Sequence, residues 1–383
     1  MRAALLVSVV LALAAGAAAA EPTFTRAVVV GRTGPTAPWT DAPTEARRGD
    51  GAELAVVLVG RDRGRPVVAA DPALGPLVLG GRAVAAKARV PLDEVAVRWS
   101  IIEPRGFRTT PAANGATSRF YSNVSTERGD FGRWLGYDRI EYVAVEVQPW
   151  QTGAAAARIP AAIISAEPDA IAVPGVGTTR YQVEVRLATG DVLASPGVDA
   201  TDAFGVRPSV HRVSVRTGDD FLGWLSAYLL VPEVFGSAGG GKNHQTERFT
   251  GADCADVMVG ARRRGGARVA YTNVAGLPKL ARPVAAAVVL DDDGRPARAI
   301  TGVAPGDLIR IDYGGALTGH TPRSWDHVAA LWEDKSDPAG PHRGAADGQL
   351  DGFDLVIHMG HPRLVIEPLS EQSPATVDVL RWK

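Results

Sequence analysis

From Glu21 to about Thr217 the apolar positions recur every second residue or in short runs bounded by Gly and Pro, the pattern of strands with one or both faces buried. This predicts strands at Phe24–Val30, Ala52–Val59, Val95–Ile102, Ile140–Val147, Tyr181–Leu187 and Val210–Val215, with a hairpin around Thr189-Gly190-Asp191. No segment of the region has a helical period. Short strands at this spacing predict an all-β, sandwich-like region spanning 21–217, of one or two domains, with an immunoglobulin-like arrangement among the options. Its aromatic residues, including Phe120, Tyr121, Phe131, Trp134 and Tyr137, suit a core, with a sugar-binding face as the alternative.

Near Asp219 the period changes. Asp219 to Val231 is the first apolar stretch that fits a helix, with an acidic start and Pro232 beyond its end. A glycine-rich loop, Ser237–Thr246, leads to a second helix that opens at Cys254. Thr250 or Asp253 can cap it, Cys254, Val257, Met258 and Ala261 share a face, Arg262–Arg264 suit its negative end, and Gly265-Gly266 stops it. Strands follow within Val303–Tyr313, at Asp326–Trp332, at Phe353–His358 and at Thr376–Trp382, with a long loop at Glu333–Gly352. Helix, helix, then antiparallel sheet makes 218–383 an α+β domain.

Residues 1–20 read as a secretory signal peptide, with one arginine, an apolar run too short for a comfortable membrane span and an Ala18-Ala19-Ala20 end. The expected location is exported, periplasmic or extracellular, with no stable membrane span after signal removal. Cleavage takes one arginine and no acid from a formal net charge of −1, leaving −2. Lys and Arg are scattered, so nothing points to nucleic acid. The single cysteine cannot form an internal disulfide, and an exported free thiol is expected to be either buried or in use.

In the first turn of its helix Cys254 faces unpaired backbone N–H groups and the positive end of the helix dipole, which favour thiolate over thiol. Inert packing on the apolar stripe is the competing expectation. Of the seven histidines, five (His320, His327, His342, His358 and His361) lie beyond residue 315, and two of these fall inside predicted strands. If the His327 and His358 strands are neighbours and the cysteine helix packs on their sheet, thiol, imidazole and a second polar group can align as nucleophile, base and orienting residue. Asp354 and His361 are substitutes for the third role. Metal binding by His358, His361, Asp351, Asp354 and His320 lacks a signature, and Pro362 argues against a helix presenting both histidines. Gly236–Lys242 has P-loop spacing, but Asn243 stands where the motif needs Ser or Thr.

Asp253-Cys254-Ala255 opening a helix, Pro305-Gly306-Asp307-Leu308 leading into a strand, His327-Val328 on the next and Val356-Ile357-His358 after it resemble the NlpC-type papain-like cell-wall peptidases. The resemblance covers about Phe221 to Trp382. It implies a papain-like domain, Cys254 as nucleophile, His327 as base, His358 as third member and no cofactor. It also implies a peptidoglycan peptide or other cell-wall polymer as partner. The chain departs from the family at Ala255-Asp256, where Ser-Gly is usual, in the long loop between the two histidines, and in the length of Ala267–Ala304. The backbone N–H of Cys254 is the natural oxyanion donor, with Gln245 or His244 as second donors. The alternative is a non-catalytic envelope or wall-binding protein on the same scaffold.

Overall fold

The computed structural model describes residues 22–70, 74–86, 95–107, 119–151, 164–166, 168, 170, 172–239, 244–314 and 325–383. The signal-peptide segment, His320 and Lys242-Asn243 lie outside the described residues.

The chain is β-rich, with several sheets and little helix. In the N-terminal half, one sheet is built on the long antiparallel pair Thr23–Thr33 and Ala52–Asp62, and a second on Ala96–Pro104, Tyr142–Gln151, Gly177–Arg186 and His211–Arg216. Alternation turns Ala27, Val29, Leu54 and Val56 of the first sheet and Trp99, Tyr181, Val183 and Val213 of the second into one shared core. The expected Thr189–Asp191 turn joins Gly177–Arg186 to Val192–Ala194 in register. Gly31 sits where the sheets come close. A Cβ there would lie 2.1 Å from Thr44 Oγ1 and 2.7 Å from His211 Nε2, so only glycine fits.

The helix expected over Asp219–Val231 is a short one, α1 (Phe221–Ser226), capped by the Asp220 carboxylate accepting from Gly223 N. Leu230, at φ 69°, breaks the helical path before Pro232. After the single turn α2 (His244–Glu247) comes α3 (Cys254–Arg264), capped by Asp253 and stopped at Gly265-Gly266. Val257, Met258, Val259 and Ala261 of α3 are completely buried.

The C-terminal sheet has six antiparallel strands in the order Ala281–Leu290, Ala375–Trp382, Leu308–Asp312, His327–Glu333, Leu355–Met359, Leu364–Pro368. Its first and last strands have no counterpart in the sequence expectations. One is alanine-rich, contains Pro283 and slips register twice; the other is a short edge strand. On one face Leu308, Val328, Ala330 and Ile357 pack with α1 and α3. The other face, with Ile309, Ile311, Ala329, Leu331 and Val356, is covered by Leu290, Ile300, Leu350 and Leu369.

The two halves are stitched together. Ala170, Val173 and Val176 belong to the core around α3. Tyr121–Ser122 pairs in parallel with Val234–Phe235, and Asn123 Nδ2 donates to Gly236 O at 3.2 Å and to Gln245 Oε1 at 2.5 Å. Residues 119–140 therefore lie against the approach to α3.

Candidate active site

Asp253 holds the start of α3 with both carboxylate oxygens. Oδ1 accepts from Asp256 N at 2.8 Å and Oδ2 from Gly236 N at 3.0 Å. This fixes Cys254 as the first helical residue, on the wall of a cleft of about 720 Å³. Cys254 is partly exposed there, and the backbone N–H of Val328, one residue from His327, favours its thiolate.

Alternation decides how the imidazoles approach it. Helix α3 packs on the face carrying Val328 and Ala330, whereas His327 shares the opposite face with Ala329 and Leu331. The thiol thus lies on the α3 side of the sheet and the His327 ring on the other, near the end of the strand, and among the described residues no hydrogen bond joins the two.

On that opposite face a polar row crosses neighbouring strands. His327 Nε2 is 2.9 Å from His358 Nδ1, with the rings edge to face. His358 Nε2 is 3.0 Å from Glu367 Oε1, and Gln372 Nε2 donates to the same oxygen at 2.7 Å. The Tyr313 hydroxyl donates to Gln372 Oε1, and the Tyr313 ring stacks on His327. His358 is buried, held in place by pairing of its backbone position with Ala329 on one side and Val365 on the other. Glu367, Gln372 and Tyr313 are the members that sequence reasoning missed.

The two substitutes for the third role are placed elsewhere. Asp354 latches the long loop, accepting from Lys335 N and Asp351 N at 2.8 Å each, and burial lifts its carboxyl to about 7. His361 pairs with Glu233 at 3.0 Å. The suggested second oxyanion donors do not reach the cleft either: Gln245 is buried and bonded to Asn123, and the His244 ring lies on Phe204. Among the described residues no group of three or more His, Cys, Asp or Glu side chains is placed to hold a metal ion.

Electrostatics run against the sequence expectation for the thiol. Burial pushes Cys254 well above its ordinary range, and the charges of Asp253 and Asp256 add to this; the N–H groups of Val328 and Ala255 pull the other way. Burial also pushes His327 down to about 3, helped by His358. At rest the thiol and the His327 imidazole are therefore both neutral. Asp256, at the position of the family departure, is buried with its carboxyl raised well above the usual range by burial and by Asp253. It accepts from Ser237 Oγ at 2.7 Å and Ala238 N at 2.6 Å. The residue thus ties the loop before α2 to the cysteine helix.

The cleft has walls from both halves of the chain: Val124, Thr126, Phe131 and Trp134 on one side, Tyr271–Ala275, Trp325 and Asp326 on the other. Phe131 and Trp134, 48% and 41% exposed, present open aromatic surface to it. Its charged lining residues are all carboxylates.

No protein-family model, no curated protein and no solved structure matches this chain.

Proposed function

We propose that the chain is an exported cysteine amidase or peptidase with a papain-like catalytic domain, acting on amide bonds in peptidoglycan stem peptides. The observation that supports this reading is a thiol in the first turn of α3, on a cleft wall and packed beside the strand that opens with His327, whose Nε2 is engaged by His358. Cys254 Sγ attacks the amide carbonyl as its proton passes to His327, and the oxyanion is held by backbone N–H at the start of α3. His327 then protonates the leaving amine, and water cleaves the thioester. With both partners neutral at rest, the proton moves at attack, as with a serine nucleophile.

The burial-raised thiol favours one other reading, a wall-binding protein on a hydrolase scaffold. Incubating the mature protein with purified peptidoglycan and weighing the released peptides by mass spectrometry separates the two. The proposal expects new amine ends with the wild type and none with Cys254→Ala or His327→Ala. Release that persists in Cys254→Ala, or none from the wild type, sinks it.

A further inference from the structure

We propose that Glu367 is a positioning residue which, through His358, fixes the proton of His327 on Nε2 and leaves its Nδ1 lone pair as the base; this rests on reading Cys254 and His327 as nucleophile and base.

The argument is one of donor and acceptor capacity. Glu367 is held ionised by the hydrogen bond from His358, so its Oε1 can only accept. Two nitrogens address that oxygen, His358 Nε2 at 3.0 Å and Gln372 Nε2 at 2.7 Å. The Gln372 amide cannot turn over, because that would set its oxygen against the acceptor-only Glu367 Oε1; as placed, its own Oε1 accepts from the Tyr313 hydroxyl. Both nitrogens are therefore donors, which explains why their 3.4 Å approach is no bond between them. In its neutral form, with the proton on Nε2, His358 has a bare Nδ1, which accepts from His327 Nε2 across 2.9 Å. A neutral His327 that carries its proton on Nε2 has one lone pair left, on Nδ1.

During attack the S–C bond forms and the carbonyl π pair moves to oxygen, while the thiol proton moves to His327 Nδ1. As the C–N bond breaks, that proton goes to the leaving nitrogen. His358 and Glu367 gain and lose nothing; they hold the starting tautomer. Without Glu367, His358 is free to carry its proton on Nδ1 and donate it to His327 Nε2. The His327 proton then occupies Nδ1, and the base is lost.

Glu367, like His327 and His358, does not line the cleft that carries Cys254, and it stands behind His358, so its removal is expected to act on turnover and not on substrate binding. The test uses the mature protein with ¹⁵N-labelled histidines. Long-range ¹H–¹⁵N correlation reads which nitrogen of each ring is protonated, with His327→Ala and His358→Ala for assignment. Steady-state cleavage of a synthetic stem tetrapeptide is measured in parallel. Expected are an unprotonated His327 Nδ1 and a protonated His358 Nε2 in the wild type. In Glu367→Ala the His327 proton shifts toward Nδ1 and kcat falls at least about tenfold with KM unchanged, and Glu367→Gln, which keeps an accepting oxygen, restores both. A wild-type His327 protonated at Nδ1 would overturn the inference, as would a Glu367→Ala protein with unaltered tautomers. The stated tautomers in a wild type that cleaves nothing would support the relay while removing the peptidase reading.

Discussion

Cys254 sits between opposing influences, and their balance sets how it reacts. The helix start and the Val328 N–H favour the thiolate; burial and the flanking Asp253 and Asp256 disfavour it and prevail. Iodoacetamide alkylation of the folded protein is therefore expected to climb steadily with pH, without the low-pH plateau of a preformed thiolate–imidazolium pair. Asp253→Asn keeps an oxygen to cap the helix but removes a charge, so it should move the onset of alkylation to lower pH. A plateau below pH 6 in the wild type, or an onset indifferent to Asp253, contradicts this balance. At this scale the sequence displayed the reactive residue types in chain order. It did not display Glu367 or Gln372, because a carboxylate and an amide among many carry no signal until the edge strand and the 3₁₀ turn Leu369–Gln372 bring them to His358.

Elements whose periodicity is imposed by a packed core were legible: the cysteine helix with its cap and glycine stop, and the strands carrying His327 and His358. Those that pack only at an edge were not. Ala281–Leu290 has small residues, a proline and two irregularities, which erase the alternation that marks a strand. Residues 119–140 have almost no regular structure, so nothing in their pattern revealed what their aromatic residues face. Trp134 stands edge-on to Tyr137 with ring centres 4.9 Å apart, Tyr137 to Phe204 at 4.6 Å, and the row ends at His244. This braces a half-open indole at the cleft wall. Trp134→Ala is expected to raise KM for a cleaved stem peptide about five- to tenfold with little change in kcat, as for a contact made equally in ground and transition states. Steady-state kinetics check it; a change confined to kcat would refute the placement.

At the scale of the whole molecule, a buried histidine, His211, and a half-buried one, His327, both held neutral, tie stability to pH. Burial and the neighbouring Arg212 charge depress His211, in the sandwich, to about 4; burial and His358 depress His327 to about 3. Each unfolded ring binds its proton near 6.5, so below that pH the unfolded chain holds more protons. The contribution is full above about 6.5 and is lost as pH falls toward 4 for His211 and 3 for His327. His211 alone accounts for about 3 kcal/mol by this route. Asp354, lifted to about 7, acts with the opposite sign, so the informative quantity is a difference. Urea unfolding at pH 7.5 and 4.5 should show a larger acid loss for the wild type than for His211→Gln. Equal losses would mean that His211 is not held neutral.

The cleft draws one wall from residues 124–134 and the opposite wall, with the thiol, from beyond residue 250. Cutting the chain at the change of hydrophobic period near 217 would leave Cys254, His327, His358 and Glu367 together but remove Phe131, Trp134 and the partner of the strand at Val234–Phe235. On the proposed peptidase reading, recognition and bond-breaking are written in separate stretches of the chain, so substitutions at residues 124–134 would retune what is gripped without touching Cys254 or His327.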